Sequence, residues 1–201
     1  MLPYQSVATL FCKGNEVCMS TFEVLLLAHL LGDFPFQTNR IFRMKLAGTR
    51  GLTLHVAIHL LVAMIIIFNF GRFWLLLLLL GVTHFVTDWI KVRLQRPDDP
   101  QLAGFVVDQI VHVLIIWGLA LWQPTLPSIF PDAMLIPAIL VALIPAVMML
   151  GWVWANDLCQ AKKKLDSKTV VWACSRLLPI SQWVGWAVVC LVIGMGVVAR
   201  G

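Results

Sequence analysis

The chain has 201 residues, of which 60% are apolar and 12% charged, and it carries a formal net charge of +5. Soluble domains run at about 45–50% apolar and about 25% charged, so both departures point toward lipid rather than water. The basic excess lies in short clusters between long apolar runs. That is the pattern of juxtamembrane loops beside anionic lipid, and it excludes a soluble nucleic-acid binder.

No secretory signal peptide is expected, because Lys13, Asn15 and Glu16 interrupt what would have to be its apolar region. The five cysteines (Cys12, Cys18, Cys159, Cys174 and Cys190) show no CxxC spacing and do not read as a zinc or redox motif. Cys12 and Cys18 could pair if the N-terminus faces an oxidising compartment. A spanning helix needs about 20 apolar residues. Six candidates follow in order: Thr21–Gln37, Leu52–Phe70, Phe73–Ile90, Gly104–Trp122, Ala133–Ala155 and Ile180–Ala199. Pro137 and Pro145 mark kinks in the fifth. An interfacial helix is expected over Thr169–Leu178, stopped by Pro179. The expected fold is therefore all-α, a polytopic helical membrane protein with about six transmembrane helices plus one interfacial helix. Residues 1–201 form a single domain, in which 21–122 is a motif-bearing four-helix half and 133–199 supplies supporting helices.

Orientation follows from the loops. The segments 38–51 (Arg40, Arg43, Lys45, Arg50), 91–103 (Lys91, Arg93, Arg96) and 156–168 (Lys162, Lys163, Lys164, Lys168) hold eleven Lys and Arg, whereas the opposite side holds Lys13, Arg72 and Arg200. The positive-inside rule puts these three basic loops in the cytoplasm and both termini outside. Trp74 and Trp122 at the outer ends, and Trp89, Trp152 and Trp154 at the inner ends, fit interfacial aromatic belts.

Every histidine has an acidic residue or another histidine four positions away: His29–Asp33, His55–His59, His84–Asp88 and Asp108–His112. With 15 His, Asp and Glu in 201 residues, chance fills a given position so roughly 7 times in 100. A spacing of four puts both side chains on one helical face, one turn apart, as two ligands of one metal ion require. Gln37 is expected one further turn beyond Asp33, and Gln109 stands beside Asp108. The alternating direction of the four spans delivers most of these groups to one slab, roughly 3–12 Å from the cytoplasmic helix ends.

Ionisable groups at that depth cost about 2.5–3.5 kcal/mol each on the insertion scale, so Asp33, Asp88 and Asp108 need a compensating partner. A cation supplies one. His with carboxylate suits a divalent transition metal, Zn, Mn, Fe or Ni, and there are ligands for one or two ions. The candidate ligands are His29, Asp33, His55, His59, His84, Asp88, Asp108 and His112, with Asp33, Asp88 and Asp108 also candidates for general base. Gln37 and Gln109 would orient ligands or substrate. Lys91 reads either as a snorkelling anchor or as a binder of a headgroup anion, helped by Arg40 and Arg43. A polar network that only fixes helix register is the plainer reading of the same pairs.

The strings His29-Leu30-Leu31-Gly32-Asp33-Phe34 with Gln37, His84-Phe85 with Asp88 and Lys91, and Asp108-Gln109 with His112 resemble a family of uncharacterised bacterial integral-membrane proteins, a domain of unknown function. The resemblance covers about residues 22–116 and implies a bacterial inner-membrane or phage-borne protein, without an activity or ligands. The His-x3-Asp theme is more weakly similar to membrane-bound metal-dependent hydrolases.

Serine-hydrolase elbows, P-loops, dinucleotide fingerprints and HExxH are lacking. The expected function is a metal-dependent membrane hydrolase acting on a lipid-linked or amphiphilic substrate at the cytoplasmic leaflet, with membrane lipid as its partner. A metal-ion or proton transporter, or a non-catalytic structural subunit, are the alternatives. Transport lacks an internal repeat and a polar ladder through the outer half.

Overall fold

The computed structural model describes residues 20–94, 99–161 and 167–198. The proposed Cys12–Cys18 pair, Lys13, Arg96, the run Lys162–Lys164 and Arg200 lie outside them. Seven α-helices account for nearly all of it: α1 (Ser20–Asp33), α2 (Asn39–Ala47), α3 (Thr49–Ile66), α4 (Trp74–Leu94), α5 (Gln101–Trp122), α6 (Asp132–Gln160) and α7 (Lys168–Val198). No β-strand occurs among the described residues, and a short 3₁₀ turn, Phe70–Phe73, leads into α4.

Five stretches, Thr49–Ile66, Phe70–Leu94, Gln101–Trp122, Asp132–Gln160 and Lys168–Val198, are long and apolar enough to cross a membrane. α1 differs. Its 14 residues rise only about 21 Å, less than the roughly 30 Å of a bilayer core. It need not meet lipid, because α3, α5 and α6 pack around it and ten of its residues are buried. Outward-facing side chains such as Ile65, Val107, Leu140 and Val147 are 60%, 60%, 60% and 64% exposed, an apolar girdle suited to acyl chains.

One end of the bundle is closed by the segment between α5 and α6. The amide of Thr21 donates to the Pro124 carbonyl at 3.3 Å, Leu126 N to Ser20 Oγ at 3.3 Å, and Phe68 N to the Pro127 carbonyl at 2.9 Å. Ile129 N donates to the Ile66 carbonyl at 2.8 Å, and Leu126 and Phe130 are buried beneath the closure. Between this end and the middle of the bundle lies an apolar core that includes Val24, Leu27, Ala63, Ile66, Leu76 and Ile116.

The opposite end is built differently. The basic segment 38–51 is no simple loop: Thr38 Oγ1 accepts from Ile41 N at 3.4 Å and caps α2. α2 then folds back onto α3 so closely that a Cβ on Gly51 would overlap the Met44 carbonyl. This apposition turns Lys45 inward, so Lys45 is a buried residue and not a loop charge.

α6 and α7 also depart from expectation. α6 runs through Pro137 and Pro145 to Gln160. The expected interfacial helix over Thr169–Leu178 is the first third of α7, which continues past Pro179. Pro179 withdraws one amide, but packing on both sides carries the helix through: Val170 and Ala173 sit against Ala155, and Gly185 sits against Pro35. Trp152 donates its Nε1–H to the Cys174 carbonyl at 3.1 Å and so braces α6 against α7.

Asp157, near the end of α6, would oppose its own helix dipole. It instead accepts from the Gln101 and Leu102 amides, Oδ1 at 2.9 Å and Oδ2 at 2.8 Å, and so caps α5 from outside. Asp157→Ala is expected to destabilise the protein by about 1–2 kcal/mol, the upper range for a lost helix cap. A lowered thermal midpoint in detergent checks this, and an unchanged midpoint contradicts it.

Candidate functional site

The cluster lies in the half of the bundle nearer α2. α1 supplies His29 and Asp33 from its last two turns, α3 His55 and His59 from its first three, α4 His84 and Asp88, and α5 Asp108, Gln109 and His112. All eight His and Asp candidates come together, each 6% exposed or less. His84 occupies the middle. The rings of His29, His55, His59 and His112 lie 5.9, 5.3, 4.1 and 4.3 Å from its centroid.

The ligand atoms converge as well as the rings. Asp33 Oδ1 is 3.2 Å from His55 Nε2, 3.3 Å from His59 Nε2 and 3.7 Å from His84 Nε2. Asp88 Oδ2 lies 3.4 Å from both His55 Nε2 and His84 Nε2, and those two nitrogens are 3.2 Å apart. Two atoms bound to one ion at about 2.1 Å stand about 3.0–3.4 Å apart in octahedral or tetrahedral shells, which matches this spacing. Among the described residues three groups could hold an ion: His29, His59 and His84; Asp33, His55 and His84; and His84, Asp88 and His112. His84 belongs to all three.

Several of these atoms lack a well-aligned hydrogen bond and face only one another. Asp33 Oδ1, Asp88 Oδ2, Asp108 Oδ1, His59 Nε2 and His112 Nε2 are buried and make no hydrogen bond among the described residues. A buried unsatisfied polar atom costs about 1–3 kcal/mol, and native structures carry few. All but Asp108 Oδ1 belong to residues of the three ligand groups, and these four fit a cation that would satisfy them together; Asp108 belongs to none of the groups.

Orientation of the rings comes from different sources. His112 Nδ1 lies 2.8 Å from the Asp108 carbonyl; donating there leaves Nε2 with its lone pair toward the cluster, as in metal-ligating imidazoles. Gln109 bridges three members: its Nε2 donates to Asp33 Oδ2 at 3.2 Å and Asp108 Oδ2 at 3.3 Å, and its Oε1 is 3.2 Å from His29 Nε2. His59 has no such partner at Nδ1. It is set by packing on Gly32, where a Cβ would come within 2.5 Å of the ring.

Two lysines complete the cluster. Lys91 Nζ donates to Asp108 Oδ2 at 2.8 Å, so it is neither a free anchor nor an unengaged anion binder. Lys45 Nζ pairs with Asp88 Oδ1 at 2.6 Å, a contact that counting loop charges does not reveal. One sequence signal pointed to it: on a helical wheel Lys45 stands about 140° from Arg40 and about 200° from Arg43, off their basic face.

Beside the cluster opens a cavity of 520 Å³. Asp33, Asp108 and Gln109 reach it, with Lys45 and Lys91, whereas Asp88 does not. Gln37 lines it too, but not from a further helical turn: α1 ends at Asp33, and Gln37 belongs to the segment before α2. The rest of the wall is largely apolar, including Phe34, Phe42 and Phe105. Met149, Trp152 and Leu178 come from α6 and α7, so the half expected only to support the site also encloses it.

Gly32→Ala is expected to displace His59 and weaken binding of a transition metal by about 10–100-fold, the range for lost ligand support. Titration of the metal-stripped protein with zinc or manganese checks this; wild-type affinity contradicts it.

No curated protein and no solved structure matches the chain. A family model, described as Protein of unknown function (DUF3307), matches residues 21–136. That span runs from α1 into the start of α6 and contains every His and Asp of the cluster. With more than half of its length matched, the chain belongs to the DUF3307 family.

Proposed function

We propose that this protein is a membrane-embedded, metal-dependent hydrolase of an amphiphilic or lipid-linked substrate. The observation that carries the reading is the set of unsatisfied, converging His and Asp atoms beside a largely apolar cavity. The ion is a divalent transition metal, Zn, Mn, Fe or Ni, because imidazole and carboxylate donors are mixed. His84 belongs to all three ligand groups and offers one ligand nitrogen, so it centres the cluster on one ion. A metal-bound water has its pKa lowered towards 7 and becomes a nucleophile at neutral pH.

The carboxylates divide by position. Asp33 Oδ1, hemmed by three imidazole nitrogens, and Asp88, out of reach of the cavity, act as ligands. Asp108 faces the cavity with Oδ1 unpartnered, and it is the general base. The basic end of the bundle faces the cytoplasm of a bacterial inner membrane, with both termini outside, because the Lys- and Arg-rich segments are retained there. Substrate then enters from the inner leaflet.

The apolar core and the hydrogen-bonded closure above the cluster favour an enzyme over a carrier, since an ion pathway would need polar groups through that half. The protein purified without added chelator is expected to carry about one equivalent of transition metal, and His84→Ala to lose most of it. Hydrolysis of bilayer phospholipids, followed by mass spectrometry of the products, should stop on chelation and return with metal. Metal-loaded protein that releases no product but carries the metal into proteoliposomes contradicts the hydrolase.

A further inference from the structure

The two lysines are arranged alike, although they come from different helices. Lys45 holds Asp88 Oδ1 while Asp88 Oδ2 is turned to His55 and His84 at 3.4 Å. Lys91 holds Asp108 Oδ2 while Asp108 Oδ1 is 3.7 Å from the His112 ring. Each ammonium therefore fixes one oxygen of a carboxylate and leaves the other free, toward the cluster at Asp88 and beside the cavity at Asp108. Each also lines the cavity, and an ammonium carries three donors.

Charge decides when those donors can take an anion. Counting imidazoles as neutral, the three carboxylates outweigh the two ammoniums by one negative charge. The metal-free cluster repels an anion. One divalent ion reverses the sign, and the cavity beside it becomes cationic. A single fatty carboxylate would neutralise that net charge, but it brings only two acceptor oxygens to two cavity-lining ammoniums with donors to spare and an ion beside them. These donors suit a phosphate ester, which has several acceptor oxygens.

We propose that Lys45 and Lys91, together with the metal, form a phosphate subsite, so that the substrate is a phosphorylated amphiphile whose tail lies along Phe34, Phe42, Phe105 and Trp152. This rests on the metal reading above. It adds a coupling that the metal reading alone lacks: phosphate and metal bind cooperatively, and linkage makes each tighten the other by the same factor.

The test uses the full chain in detergent, stripped of metal and then loaded with zinc or manganese. Calorimetry follows inorganic phosphate in one arm and phosphatidic acid in mixed micelles in the other. Phosphate is expected to bind only the loaded protein and to tighten metal binding at least tenfold. Lys91→Gln should weaken phosphate at least tenfold with metal stoichiometry kept, and Lys91→Arg should restore most of it. Lys45→Gln should behave likewise, with Lys45→Arg covering the case that an uncompensated Asp88 impairs folding. Phosphatidic acid should bind more tightly than phosphate, through the apolar wall. Equal affinities would reject the lipid as source in favour of free phosphate and overturn the amphiphile assignment. Phosphate binding that ignores the metal, or survives in both glutamine variants while metal is retained, overturns the subsite. A chain that takes up no metal overturns the metal reading along with it.

Discussion

Three carboxylates and five imidazoles packed into an apolar bundle are the constraint around which this protein is built. An uncompensated charge in such a place costs several kcal/mol, and breaking one partner of a buried pair is strongly destabilising. The chain meets part of this demand itself. Lys45 and Lys91 neutralise Asp88 and Asp108, and Gln109 ties Asp33, Asp108 and His29 together. What remains is a group of oxygen and nitrogen atoms that face one another without hydrogen bonds. A cation is the economical answer to that remainder, since one ion can coordinate several of them.

The architecture serves this arrangement. α1 alone is shorter than a bilayer core, but with residues 34–38 it runs from the closed end to the end that bears α2, and it carries His29 and Asp33 to the middle of a bundle that shields it from lipid. The closure between α5 and α6 seals one end over apolar core, and the cavity lies toward the other, where α2 folds back and brings Lys45 in. Helices α6 and α7 carry no ligand of the cluster. They still shape the cavity, through Met149, Trp152 and Leu178, and Asp157 fixes the start of the helix that bears Asp108 and His112.

Much of this was legible in the sequence, for a definite reason. Spacing of four within a helix is a local property, and the level of each pair follows from alternating direction; neither needs knowledge of tertiary contacts. That is why His29–Asp33, His55–His59, His84–Asp88 and Asp108–His112 could be assigned to one face and one depth. Lys45 and Asp157 depend on how two helices meet, and counting loop charges treats both as solvent residues. Their signals were faint: a lysine off the basic face of α2, and an aspartate at the wrong end of a helix dipole. Gln37 shows the converse error, a periodicity carried one turn past a helix that ends at Asp33. Pro179 shows another, because proline ends a helix only where packing does not hold it.

The central claim is that imidazoles and carboxylates of α1, α3, α4 and α5 share a transition metal. X-ray absorption at the zinc edge of the zinc-loaded protein tests it most directly. The account predicts a shell of nitrogen and oxygen at about 2.0–2.2 Å, with the outer-sphere scattering of several imidazoles and no sulfur. A sulfur-containing shell, or an all-oxygen shell without imidazole, would contradict it.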